Sequence, residues 1–334
     1  MISAVALISS GLDSILAAQI ISNQEIDVRG VLFYFSFDNL YIKIKQGELD
    51  NVFNSLHIPV DYIDLTEQMV GLLQSDPIHG FGSGINPCID CHSMMLKRAD
   101  EVRKKIKADF LITGDVVGQR PMSQKEPVLR HIEKAADVKG LVLRPLSARL
   151  LEESIPEKKG WVDRKKLYGI TGRSRKEQFK LAEQLGIKKY ETPAGGCILT
   201  DPEFSKRVKI FRKKRGKENL TAQDLILMRY GRHFWIKDTI QVVTGRNESE
   251  NEMLQSFTGQ RWVFEAVDIP GPLVLASGIK EQEDIEQVGK IVSRYCSKKP
   301  SSVVKVKYEN KIKRVSGYVD AAPVGEEELE EWRV

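Results

Sequence analysis

The first half of the chain alternates short, nearly unbroken apolar runs with amphipathic stretches, and this alternation restricts the fold more than any other feature. The runs are Ser3–Ile8, Val28–Phe35, Asp109–Thr113 and Leu141–Leu143, and Val60–Leu65 alternates like a strand. Helical patterns cover Asp13–Ser22, Ile42–Ser55 and Met94–Ile106. A later one covers Ser174–Leu185, with Ser174 and Glu177 at capping-box spacing. Strands covered on both faces read as continuous apolar runs, and strands separated by helices build βαβ units. The expectation is an α/β domain built on a parallel sheet.

After Cys197 the pattern changes. Residues 206–217 read KRVKIFRKKRGK, eight positive charges without an acid. A short helix is expected over Leu220–Met228, then strands at HFWI, TIQVVTG, WVFEAVDI and PLVLASG, then a helix near Glu283–Tyr295. A last strand pair is expected to turn at Glu309–Asn310, and the acidic tail beyond Pro323 is expected to be disordered. This divides the chain into residues 1–204 and a smaller α+β domain over 205–334. The net charge is only +5, so the clustering of basic residues points to a polyanionic partner more than the total does. No apolar run is long enough to cross a bilayer and no basic leader pattern opens the chain, so a cytoplasmic location is expected.

The first apolar run ends in SSGLDS, Ser9–Ser14. A loop between a parallel strand and the helix after it lies where such sheets bind ligands, and free N–H groups at the helix start favour phosphate. Ser9, Ser10 and Ser14 offer hydroxyls, and Gly11 allows close approach. Neither GxxxxGK[ST] nor GxGxxG is present. Asp13 would repel a bare phosphate, so the functional reading is an ATP site whose Mg²⁺ is carried partly by Asp13. The plain alternative is a serine-rich capping loop.

Cysteines stand at 88, 91, 197 and 296. Cys88 and Cys91 lie in NPCIDCHSMMLK, followed by His92 and by Lys97, which can reach phosphate. Cys197 follows Gly195 and Gly196. Three arrangements are open: a [4Fe–4S] cluster on Cys88, Cys91 and Cys197, a persulfide with a resolving cysteine, or zinc with His92 as a further ligand. The cluster is the expectation. Cys296 is expected to be an ordinary free thiol.

SSGLDS resembles the SGGxDS loop of the N-type ATP pyrophosphatases, with Ser10 where glycine is usual. LITGDVVGQRPMSQ (Leu111–Gln124) and LRPL (Leu143–Leu146) resemble segments of tRNA 4-thiouridine synthetases. NPCIDC resembles the 2-thiouridine-forming enzymes, and AGGCILTDPEF falls where both groups keep a late catalytic cysteine. MRYGRHF and VTGRNESEN resemble the RNA-binding domain of the NFACT type. The resemblance implies an adenine nucleotide alpha-hydrolase-like (PP-loop) domain followed by an RNA-binding domain. The chain opens at the nucleotide loop, without the RNA-binding region many 4-thiouridine synthetases place before it and without a rhodanese-like tail.

The activity so implied is ATP-dependent tRNA thiolation, 4-thiouridine in preference to 2-thiouridine. The uridine oxygen attacks the α-phosphate of ATP, and sulfur from the cluster then displaces AMP. Ser9, Ser10, Gly11, Asp13, Ser14, Phe35, Lys97, Gly114, Gln119 and Arg120 would bind ATP. Ser123 lies in the same loop as Gln119. Asp13, Asp115 and the three cysteines would be catalytic. Arg144 would neutralise the adenylate or pair with an acid. Lys206, Arg207, Arg212, Lys213, Lys214, Arg215, Arg229, Arg232, His233 and Arg246 would meet RNA, with Tyr230 a stacking platform and Phe234 a core residue. The implied cofactors are ATP, Mg²⁺ and a [4Fe–4S] cluster. The implied partners are tRNA and sulfide or another sulfur donor. A homodimer would let one subunit hold the tRNA that the other modifies. Other classes are sulfur transfer by a persulfide to a non-RNA substrate, and an RNA-binding factor with a degenerate nucleotide site.

Overall fold

The computed structural model describes residues 1–190, 196–297 and 303–334, with the side chains of Asn51 and Ser55 excepted. The chain forms two compact units, Met1–Asp201 and Pro202–Val334. In the ETPAGGC stretch, residues 191–195 lie outside the described residues.

The first unit is built on β1 (Ser3–Leu7), β2 (Asp27–Tyr34), β3 (Val60–Asp64), β4 (Phe110–Thr113) and β5 (Val142–Leu143). All pair in parallel, in the order β3-β2-β1-β4-β5. The chain winds outward from β1 to β3 and then returns to place β4 on the other side of β1. The crevice beyond the carboxyl ends of β1 and β4 is therefore the topological switch point, where open α/β sheets bind ligands. The helix after β1, Leu12–Ser22, is buried at Leu12, Ile15, Leu16, Ile20 and Ile21, because the sheet and the later helix Lys176–Gln184 cover it. Its apolar residues all round reflect that double cover.

The second unit carries β6 (Arg232–Ile236), β7 (Ile240–Thr244), β8 (Trp262–Ala266), β9 (Val274–Ser277), β10 (Val304–Asn310) and β11 (Val315–Ala321). They form one antiparallel sheet, ordered β11-β10-β8-β9-β7-β6. Helix Gln282–Arg294 packs on it through Ile285, Val288, Ile291 and Val292, against Phe234, Phe264 and Val306. The class expected from the sequence, a parallel α/β domain followed by a smaller α+β domain, is the one observed.

Local boundaries differ for physical reasons. The helix expected from Met94 begins at Cys88, where Cys91 N–H already bonds the Pro87 carbonyl at 2.8 Å. The helix expected over Ile42–Ser55 is broken after Lys45, and Gly47 sits at φ +69°. The Ser174 capping box does not form; the helix starts at Lys176 with Arg175 at its cap. The last hairpin turns over residues 311–314, one step beyond Glu309–Asn310, because Asn310 still pairs with Val315 and its Oδ1 accepts the Lys313 N–H at 2.8 Å. The acidic tail is a helix, Glu326–Trp332, not a disordered segment. Leu329 is buried in the core, and Glu326 and Glu328 pair with Arg294 and Lys290. Among the described residues no helix is long and apolar enough to cross a membrane.

Candidate active site at the switch point

The SSGLDS loop connects β1 to its helix without a side-chain cap at Gly11. Its shape is held internally. Ser14 Oγ accepts the Ser9 N–H at 2.9 Å and lies within 3.1 Å of the Ser9 and Gly11 carbonyls, to one of which it donates. Ser9 Oγ accepts the Gly11 N–H at 3.2 Å. Ser10 is buried. The uncapped helix start keeps its N–H groups and positive dipole end for an anion.

Asp13 faces this start. Its Oδ2 accepts Gln119 Nε2 at 2.7 Å and lies 3.4 Å from Arg175. Gln119 is held in turn by Gln178, at 3.2 Å. Oδ1 of Asp13 is buried without a hydrogen-bond partner among the described residues. A buried carboxylate oxygen left unpaired is costly, so this atom fits a ligand, and the hard cation that accompanies ATP phosphates suits it.

The loop after β4 closes on the same place. A Cβ on Gly114 would stand 2.5 Å from Ser14 N and 2.7 Å from Asp13 C, so only glycine lets the two backbones meet. Asp115 follows. It accepts Thr113 Oγ1 at 2.8 Å and Gln124 Nε2 at 2.9 Å, and Arg144 Nε lies 3.5 Å away. Burial opposes its ionisation, but Arg144 and His92 outweigh burial and hold its carboxyl below the ordinary carboxylate range. Arg144 is itself buried and bonds Glu133, so it neutralises two acids at the sheet edge. Burial lowers His92 from its ordinary imidazole range. Lys97 is exposed. Phe35 is buried and stacks on Phe37, with ring centroids 5.5 Å apart.

Cys88 and Cys91 occupy the first turn of the helix Cys88–Ile106. Asn86 Nδ2 donates to Cys88 Sγ at 3.0 Å. The Ile85 N–H bonds the Leu199 carbonyl at 2.9 Å, which joins the Cys88 loop to the turn after Cys197. All three thiols lie within electrostatic reach of one another. Burial, then Cys197 and Cys88, push the Cys91 thiol well above the ordinary range. Cys197 has an exposed face, yet desolvation by the surrounding protein still pushes its thiol up to about 12. The Cys91 and Cys197 thiols are therefore protonated at neutral pH.

The expected cluster is corrected here. Among the described residues no three His, Cys, Asp or Glu side chains are placed to hold a metal ion, so the [4Fe–4S] cofactor and the metal-binding role given to Cys88, Cys91 and Cys197 do not stand. Zinc with His92 falls on the same ground. Cysteine spacing does not fix a ligand set, because the third cysteine comes from a turn a hundred residues away. Cys296 is a buried free thiol bonded to the Val292 carbonyl.

The basic run lies on helix Pro202–Arg215 in the second unit. Lys206 and Lys213 are exposed, and Arg212 is half-buried. Lys214 pairs with Asp238 at 2.5 Å, and Arg246 pairs with Glu250. Arg207 donates to the Met228 and Gly231 carbonyls, which ties the helix to its own unit. Arg229 and Arg232 lie over the rings of Tyr230 and Tyr295. Arg215 lines a cavity and Phe234 is in the core.

His233 is buried, with Nε2 at 2.9 Å from the Tyr230 carbonyl. Burial, then Arg207, lowers it to about 3, so it is neutral and carries no charge for RNA. The unfolded chain takes up this proton near 6.5, so stability is whole above that pH and falls as pH drops toward 3. Acidification from pH 7.5 to 5 is expected to cost about 2 kcal/mol through this group alone. Urea unfolding of the full chain and of His233→Gln at both pH values checks this: the variant should lose that part of the pH slope.

Sequence inspection missed Arg175, Gln178, Thr113, Gln124 and Asn86. The polar QRPMSQ stretch was the one available signal, and it pointed to Gln124 only.

Residues 2–155 match the family model of the thiamine biosynthesis protein ThiI. Residues 231–333 match the model of the NFACT protein RNA binding domain. No curated protein matches the chain. Among solved structures, a 4-thiouridine synthetase in complex with RNA and ATP is 19% identical over 55% of this chain, with a TM-score of 0.36. This chain spans about half the length, 51%, of that synthetase. The C-terminal part of the fibronectin/fibrinogen-binding protein of Streptococcus suis is 14% identical, covering 74% of this chain and 100% of that one, with a TM-score of 0.28. A predicted tRNA methyltransferase subunit of Methanocaldococcus jannaschii is 16% identical over 43% of this chain and 69% of that one, at a TM-score of 0.32. Scores this low leave the structural likenesses without weight for the site. The chain thus joins an N-terminal part similar to ThiI, which carries the SSGLDS loop, to a C-terminal part similar to the NFACT-type RNA-binding domain.

Proposed function

We propose that this protein is an ATP-dependent tRNA sulfurtransferase that converts a uridine to 4-thiouridine through cysteine persulfide chemistry. The observation that carries this reading is the ThiI match over residues 2–155, which includes both the SSGLDS loop and Cys88–Cys91. The NFACT-type match supports RNA as the substrate.

ATP phosphates lie on the helix start after Gly11, with Ser9, Ser10 and Ser14 shaping the loop. Gly114, Gln119 and Arg120 border the same crevice. Asp13 Oδ1 would hold Mg²⁺, which when bound neutralises phosphate charge. The uridine O4 attacks the α-phosphorus and pyrophosphate leaves, which turns the oxygen into the leaving group of an AMP ester. Asp115, kept ionised by Arg144, orients the uracil edge. The terminal sulfur of a cysteine persulfide, loaded by a sulfane-sulfur donor, attacks C4 and AMP departs. A second cysteine thiol attacks the resulting disulfide, releases 4-thiouridine and leaves a protein disulfide for an external thiol to reduce. Cys197 and Cys91 are the pair assigned to these steps, with Cys88 beside them. The basic helix face at Lys206, Arg212 and Lys213 would hold the tRNA backbone.

ATP labelled at the α-phosphate, incubated with the full chain, tRNA and a sulfane-sulfur donor, should give AMP and pyrophosphate only when tRNA is present. Release of ADP and phosphate instead would overturn the reading.

A further inference from the structure

The second unit contains a cavity of about 370 Å³ that the thiolation scheme does not use. Arg215, Arg261, Asp224, Gln241 and Ser277 line it. Arg215 and Arg261 bring two guanidiniums to a space that holds one carboxylate. Asp224 is committed: Oδ1 accepts Arg261 at 2.7 Å, and Oδ2 closes a capping box with Thr221. Among the described residues the Arg215 side chain donates a hydrogen bond to a neutral partner, Ser277 Oγ, at 2.9 Å, and Asp224 acts on it only through its charge. Its Nε is buried without a hydrogen bond among the described residues. Burial, then the neighbouring Arg261, lowers the Arg215 pKa. Buried charges in folded proteins are normally paired, so an excess guanidinium facing a cavity marks the place of an anion.

The site is also built. Arg215 lies 5.8 Å from the centroid of the Trp235 ring, which fixes its plane. Gly278, at φ +93°, lets the guanidinium approach; a Cβ there would stand 3.0 Å from Nη2. Gln241 is 3% exposed and lines the cavity. Arginine forks match phosphate oxygens in two-point contact, and a primary amide matches the edge of a base. The volume suits a mononucleotide. We propose that the cavity between Arg215 and Arg261 binds the phosphate of one nucleotide, with Ser277 beside the phosphate and Gln241 on the base edge. It would act as a second nucleotide site, separate from the SSGLDS loop. The proposal stands on the cavity and does not need the thiolation reading.

Two sources share this chemistry, a nucleotide within RNA and a free mononucleotide. The test follows the side-chain Nε–Hε resonances of Arg215 and Arg261, assigned by substitution, in the full chain with labelled arginine. Inorganic phosphate, AMP and an oligouridylate are titrated in turn at constant ionic strength. Both resonances are expected to move together and saturate with phosphate, and to saturate at lower concentration with AMP or the oligonucleotide. The tighter of these two names the source. Arg215→Lys keeps the charge but loses the fork, and should raise the midpoint about tenfold, read at Arg261. Should that variant not fold, Ser277→Ala retains both guanidiniums and should raise it several-fold. Resonances that stay fixed with all three ligands, or that move as far with chloride, would overturn the proposal. Movement with AMP but not with RNA would keep this site and count against RNA as the ligand of this unit.

Discussion

Gly114→Ala is expected to lower kcat/KM for ATP-dependent turnover by about 100-fold or more, since a displacement near 1 Å at a reacting centre has that effect. The added methyl would stand 2.5 Å from Ser14 N, 2.6 Å from Ser14 Cα and 2.7 Å from Asp13 C. All three are backbone atoms of the first turn after the SSGLDS loop, so no side-chain rotation relieves the clash. The helix start must move away from β4, taking with it the N–H groups that face phosphate and the Asp13 carboxylate. Overpacking of this kind also costs about 1–3 kcal/mol of stability. Gly71→Ala is the matched control. It lies in the helix Thr66–Gln74 with open space around its Cβ position, and should leave activity unchanged and stability equal or slightly higher. Steady-state kinetics and urea unfolding of the two variants separate the site effect from a general one.

Cys197→Ser and Cys91→Ser are each expected to reduce tRNA thiolation by about 1,000-fold or more while leaving tRNA-dependent pyrophosphate release in place for a first turnover, as loss of a nucleophile from a two-step covalent scheme does. The thiols themselves should be slow. With Cys197 raised to about 12, thiolate is scarce at pH 7, and each unit of rising pH below that value should increase its alkylation by iodoacetamide about tenfold. Bound ATP and tRNA should protect it further. Alkylation as fast as that of a free peptide thiol at pH 7 would contradict the environment described for Cys197.

The sequence was most informative where one element determined its own character. The runs at β1, β4 and the second half of β2 are apolar because a parallel sheet is covered on both faces there. The loop after β1 could be recognised because Gly11, Asp13 and Ser14 are local to it. The support of Asp13 could not, since Arg175 and Gln178 come from a helix more than 150 residues later. Nor could the metal question be settled from spacing. Cys88 and Cys91 at i and i+3 suit a cluster, a persulfide pair or two helical thiols equally, and only the placement of a third group decides. The acidic tail looked like a solvated run because its partners, Lys290 and Arg294, lie on another helix. His233 looked like an RNA contact because its neighbours Arg229 and Arg232 are basic, while the strand is buried from His233 onward.

The most direct test of the sulfurtransferase reading is mass spectrometry of nucleosides from tRNA incubated with the full chain, Mg-ATP and a sulfane-sulfur donor. The account predicts a uridine in which sulfur replaces O4, formed in step with AMP and absent from the Cys197→Ser reaction. AMP release without any thionucleoside, or thionucleoside formed equally by Cys197→Ser, would contradict it.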